Sequence, residues 1–508
     1  MSVISNFTPK QISSLSTSVI QALSTTDVQA LSSSQVAALS ATQINAMETE
    51  DLQAMDSTQI QAISVTAIKG LVADALINLT DTQTASFATA QISAMKAYQL
   101  EALDGTDIQS WDATQLAAIT SQQLAGLTTT GLADFSETQL ASLTSTQLRG
   151  LTTSQLNSLG TTQLNALNAE DLSVTQIKGM NATAIEALST TQAQSLTASQ
   201  IAALSAAGVE ALSSEEIQGW STTQLAALTS SQLSKLTTTA IADFSETQLA
   251  DLTATQVRGF TTTQLNSLGS TQLNAIEIAD LASTQIAGLN GTAAALLSST
   301  QVQGMSTAQV AALSTTALGQ LASTDIQDWS ASQLGAVSTK QLAGLSTTAI
   351  ANFSDTQLAA LTTTQVRAFT ATQLNTMATT QLNALNAQDL SVTQIKGMDA
   401  TAMEALSTTQ AQSLTAAQIA NLSATGLDAL SSEEVQGWNT TQLAALTSSQ
   451  LGKLTATAIA DFSETQLADL NATQVKGFTT TQLNALGTTQ LNALEMQEDG
   501  RGVWREYV

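Results

Sequence analysis

The chain has 508 residues, 43% of them apolar, 3% aromatic and 11% charged, with one Pro, no Cys and no His. Soluble proteins commonly carry about 25% charged residues. Without His or Cys there is no imidazole or thiol nucleophile, no zinc or copper site of the usual kind and no disulfide. A net charge of -26 repels nucleic acid and anionic membranes.

In chain order, Met1 to Lys10 lacks the basic and apolar runs of a classical signal peptide, and no apolar stretch is long enough to span a bilayer. From Thr8 the sequence reads in octads, Ser/Thr-x-x-Gln-Leu/Ile-x-x-Leu, seven of which fill residues 8–63. A longer period then takes over. Trp111, Trp220, Trp329 and Trp438 are 109 residues apart, as are Phe135, Phe244, Phe353 and Phe462. Thirteen octads and one pentad make this unit, the pentads being 168–172, 277–281, 386–390 and a degraded 495–499. The sequence therefore divides into N-terminal octads (1–63), repeat units 64–172, 173–281, 282–390 and 391–499, and a non-repeating tail, 500–508.

Each octad predicts one short helix. In a continuous helix, eight residues at 100° leave the leucines rotated by about 80° per repeat, so they would smear over all faces. In a strand, positions five and eight would point to opposite faces. A β-solenoid, the competing fold, also calls for Gly/Asn/Asp turns and β-branched strands rather than Leu, Ala and Gln. In Thr152–Leu159, by contrast, Thr152 is a natural N-cap and Gln155 falls at the capping-box position. Leu151 and Leu156 then have the spacing of a hydrophobic staple. Such a helix is too short to stand alone, so stability has to come from stacking. The prediction is an all-α solenoid of very short capped helices, with the pentad as a phase-resetting step.

The candidate sites follow from residues that depart from the octad. Trp111, Trp220, Trp329 and Trp438 stand in a Leu slot, which reads as core filling, with an exposed stacking platform for sugars as the alternative. The acids Glu215-Glu216 and Glu433-Glu434 read as helix caps rather than catalysts. Arg149, Arg258, Arg367 and Lys476 follow the acids Glu137, Glu246, Asp355 and Glu464 by one and a half octads. The expectation there is an inter-coil ion pair, with an anion contact as the alternative. The Ser/Thr band at positions one to three reads as capping and solubility, or as a surface for ice, polysaccharide or mineral. No calcium nonapeptide, EF-hand or phosphate loop occurs, so neither catalytic residues, metal nor cofactor is expected.

The octads STTQLAAL, TSSQLAGL and TTTQLNAL resemble the Thr/Gln/Leu/Ala repeats of very large bacterial proteins labelled adhesin-like, haem-utilisation or RTX-like. The likeness spans residues 8 to about 494, is compositional and carries no functional residues over. It implies export by a signal-less route and a place at the cell surface, with a cytoplasmic location as the alternative. The expected function is a non-enzymatic acidic spacer, stalk or self-assembling filament element. The expected partners are the chain itself or cell-surface and extracellular material, with neither nucleic acid nor membrane insertion. A glycan-, ice- or surface-binding scaffold and an intracellular filament-former are the competing readings.

Overall fold

A computed structural model describes residues 3–495. The fourth pentad, apart from its first residue, and the tail 500–508 lie outside the described residues. Among the described residues the fold is all-α, with 59 short α-helices, four 3-10 turns and no strand, which rules out the β-solenoid.

The octad folds as its caps dictate. In 152–159 the Thr152 Oγ1 accepts from the Gln155 N–H at 3.2 Å, while Gln155 Oε1 accepts from the Thr152 N–H at 2.7 Å. The helix between, Thr153–Leu156, is a single turn. Leu151 and Leu156 are both buried, as a staple requires. Positions five and eight supply the core throughout, for example Ile44 and Met47, Leu100 and Leu103, Leu374 and Leu451 among many.

Coil closure rests on the other end of the same glutamine. Gln155 Nε2 donates to the carbonyls of Leu124 and Leu127, 2.7 and 2.8 Å away and 31 and 28 residues earlier. Gln43 does the same with Ile12 and Leu15, and Gln99 with Ile68 and Leu71. Meanwhile each helix packs against the one three octads earlier, as Ser57–Ala62 does on Ser33–Val36. One coil therefore takes between three and four octads. Each helix N-terminus sits over the helix C-terminus in the coil below, in the manner of brickwork. Such helices leave several main-chain carbonyls without an intrahelical donor, and the buried glutamine amides supply donors to two of them.

The pentads preserve this scheme with fewer residues. Asn168–Leu172 lacks octad positions one to three, and Ala169–Asp171 forms a 3-10 turn. Its Ala169 and Leu172 keep the buried fifth and eighth places. Their carbonyls receive Gln200 Nε2 at the usual 31 and 28 residues, both at 2.8 Å. The pairs Ile278 and Leu281, and Ala387 and Leu390, serve Gln309 and Gln418 alike. Bonds that straddle a pentad shorten by three residues, so Gln176 reaches Leu148 and Leu151, 28 and 25 residues back. Asparagines reinforce this seam. Asn157 Nδ2 donates to the Gly179 carbonyl and its Oδ1 accepts from the Asn181 N–H, at 3.1 and 2.9 Å. Asn266 repeats the pair with Gly288 and Asn290, and Asn375 with Gly397 and Asp399.

The coils also meet closely at position seven. A Cβ on Gly150 would lie 2.6 Å from the Ser121 carbonyl oxygen and 2.8 Å from its Cα. Gly150→Val is expected to lower stability by about 1–3 kcal/mol, the usual cost of overpacking, measured by urea denaturation. An unchanged midpoint would show that the coils separate there without resistance.

The molecule divides into two compact units between residues 259 and 260. The first holds the 3-10 turn at Ala169–Asp171, and the second those at Ile278–Asp280 and Ala387–Asp389.

Candidate functional site

The four tryptophans are core residues by burial, between 3% and 5% exposed. Each indole donates to the fifth-position carbonyl 27 residues earlier: Trp111 to Thr84, Trp220 to Ala193, Trp329 to Val302 and Trp438 to Ala411, at 2.8–3.0 Å. Those fifth positions hold Thr, Ala, Val and Ala where most octads place Leu or Ile, which makes room for the larger ring. The next glutamine adjusts accordingly. Gln115, Gln224, Gln333 and Gln442 bond the sixth and eighth carbonyls, 30 and 28 residues back, such as Gln194 and Leu196 for Gln224. The indole thus takes over one rung of the glutamine ladder. Phe135, Phe244, Phe353 and Phe462 are buried as well.

Arg149, Arg258, Arg367 and Lys476 are the C-cap residues of four-residue helices. For two of them the structure gives a partner other than the acids expected from the spacing. Arg149 Nε donates to the main-chain carbonyl of Asp171 at 3.1 Å, and Arg367 Nε to that of Asp389 at 3.0 Å. The carboxylates of the same pentad residues accept from Ser145 and Thr363. The physical reason is the coil length. A residue 22 positions on, with a pentad between, lies on the adjacent coil, whereas Glu137 and Asp355 are only twelve residues away. The matching position for Lys476 is 498, outside the described residues.

Glu216 and Glu434 cap their helices, accepting from the Ser213 and Ser431 N–H groups at 2.7 and 2.6 Å. Both are buried, together with Asp107 and Asp325 at the same place in the other two units. All four Trp octads therefore carry an acid in the glutamine slot. The sequence reading singled out only the doubled glutamates; counting 109 residues from Glu216 finds the other two. Asp107 accepts from the Thr84 hydroxyl at 2.7 Å and the Asp104 N–H at 3.1 Å. Burial pushes its carboxyl above the ordinary range and Asp104 and Asp81 add repulsion, against the lowering effect of those two hydrogen bonds. Asp51, in the same slot, is raised by burial and then by Glu48, Glu50 and Asp27.

A shallow groove of about 570 Å³ lies over Gln436, Asp461, Phe462, Glu464 and Gln490. Its amides are engaged, Gln436 with the Asp461 carbonyl and Gln490 with those of Ala460 and Phe462. Among the described residues no three carboxylates converge on a point that could hold a metal ion, and no helix is long and apolar enough to cross a membrane.

The fold and its repeated bonds define a tandem-repeat protein, a helical solenoid of octads. Three segments, 4–41, 207–238 and 334–371, match the ALTTAQ repeat family, to which the chain is similar over those residues, well under half its length. No curated protein matches the chain.

Proposed function

We propose that this chain is a non-enzymatic structural element, an acidic spacer or stalk of a bacterial surface or extracellular protein, with the chain itself or extracellular material as its partner. The observation that carries this reading is where the buried polar groups point. Gln43, Gln99, Gln155 and their counterparts face the preceding coil with both ends of the amide engaged. Such a chemistry joins coil to coil and leaves little for a substrate. A solenoid of this kind gains length with each coil, because a coil contacts only its neighbours. The buried indoles also count against the glycan-platform alternative, which needs exposed rings. Brickwork stacking likewise distributes the position-three hydroxyls among staggered helices instead of aligning them on one flat binding face. An intracellular filament shares these features and differs only in location.

Small-angle scattering tests the spacer. A compact globule of this length has a radius of gyration of about 23 Å, and the full chain is expected well above it. Inserting a second copy of 173–281 is expected to lengthen the particle by about 35 Å, since the unit makes about four coils at about 8–10 Å each. A radius near the globular value in both proteins would remove the basis of the spacer function.

A further inference from the structure

Asp51 and Asp107 occupy the slot in which an octad glutamine donates two hydrogen bonds to the coil below. By register, the carbonyls beneath them are those of Ile20 and Leu23 for Asp51, and of Leu76 and Leu79 for Asp107. These correspond to Ile12 and Leu15 beneath Gln43, and Ile68 and Leu71 beneath Gln99. A carboxylate has no hydrogen to offer a carbonyl, whereas a protonated carboxyl has one. Both side chains are buried, at 4% and 7% exposure, so water does little to offset the mismatch.

We propose that Asp51 and Asp107 make these two joints proton-responsive: loosened when the carboxyl is ionised, closed when it is protonated. Their surroundings favour this response. Beside Asp107 stand Asp104 at its own N-cap and Asp81 on the helix Asp81–Thr84 below. On the coil above stands Asp134, whose carboxylate approaches Gly105 and whose carbonyl accepts from Gln109. Beside Asp51 stand Glu48 and Glu50 of its own octad and Asp27 on the packed helix Thr25–Gln29. Asp74 lies on the coil above, where Gln53 bonds the Asn78 carbonyl. Every one of these neighbours is acidic, so ionisation adds repulsion to a missing donor.

Both carboxyls titrate above their unfolded value of 3.8. The folded state then holds its protons to higher pH than the unfolded chain, so stability falls as pH rises through the raised value. The destabilisation is fully present at neutral pH and is relieved as pH drops toward the unfolded value. Acidification also lowers the chain's net negative charge and its self-repulsion, so a global melting curve alone does not isolate the joints.

Hydrogen exchange on the full chain does, with octads 40–47 and 96–103, which carry glutamine, as internal references. After correction for intrinsic rates, the amides of 52–55 and 108–111 are expected to gain at least about threefold protection over the references between about pH 7.5 and about pH 4. Asp51→Asn and Asp107→Asn, which place an amide in each slot permanently, are expected to show that protection already at neutral pH and to lose the pH response at the substituted joint. A response equal to that of the references, or one that survives both substitutions, overturns the proposal. Each joint is read separately, so one variant that fails to fold leaves the other decisive.

Discussion

Gln155→Ala is expected to cost about 3–5 kcal/mol, several times the loss of a helix cap. The substitution frees three buried main-chain groups: the Thr152 N–H and the carbonyls of Leu124 and Leu127. Each orphaned buried group costs about 1–3 kcal/mol, against about 1 kcal/mol for a cap alone. Gln11 provides the comparison. It bonds Thr8 in the same capping box at 2.8 and 3.3 Å, yet it is exposed. Gln11→Ala should therefore cost only the cap. Urea denaturation followed by circular dichroism measures both. Equal losses would mean that the amide bonds to the coil below contribute nothing net, and that apolar stacking alone holds the solenoid. Gln155→Glu separates the two ends of the side chain. Glu216 shows that a glutamate keeps the cap, so any loss in that variant reports on the missing donors.

Trp220→Ala is expected to cost about 3–5 kcal/mol, as for other large buried aromatics. The ring lies over Ala193, a small residue already, so neighbouring side chains have little volume with which to fill the space. The pairing itself makes a sharper test. Most octads place Leu at both the fifth and eighth positions, so Trp220→Leu combined with Ala193→Leu restores the common arrangement. Gln224 is then free to bond the fifth carbonyl, as other glutamines do. The double variant should recover much of the loss of Trp220→Leu alone, giving a favourable coupling between the two sites. Additive losses would mean that Trp220 and Ala193 are not matched in volume. In the parent protein, indole fluorescence should be blue-shifted and resist iodide quenching; strong quenching would contradict the burial of all four rings.

Much of the local structure was legible in the residues. The capping box of Thr152 and Gln155 involves groups three positions apart, and the spacing of Leu151 and Leu156 states where the chain turns inward. Both are short-range geometry, so one octad is enough to read them, and repetition in phase removes ambiguity. The all-α class and the core at positions five and eight follow from the same pattern. The pentads were visible as breaks in period, though not that Ala169 and Leu172 would keep the fifth and eighth places while the cap tripeptide is dropped.

Tertiary structure alone decided how the octads stack. A sequence with period eight looks the same whether three or four repeats close a coil. The choice depends on which carbonyls Gln155 Nε2 reaches 28 and 31 residues away, a relation that no local spacing encodes. For the same reason the sequence assigned glutamine to the cap and missed its second role, although the preference for Gln over Glu in that slot is the chemical trace of two required donors. The arginines show the limit most directly. Spacing in the chain pointed Arg149 toward Glu137, whereas coil length brings it to the Asp171 carbonyl on the neighbouring coil. Short-range hydrogen bonds fixed what each octad is, and long-range closure fixed what each octad touches.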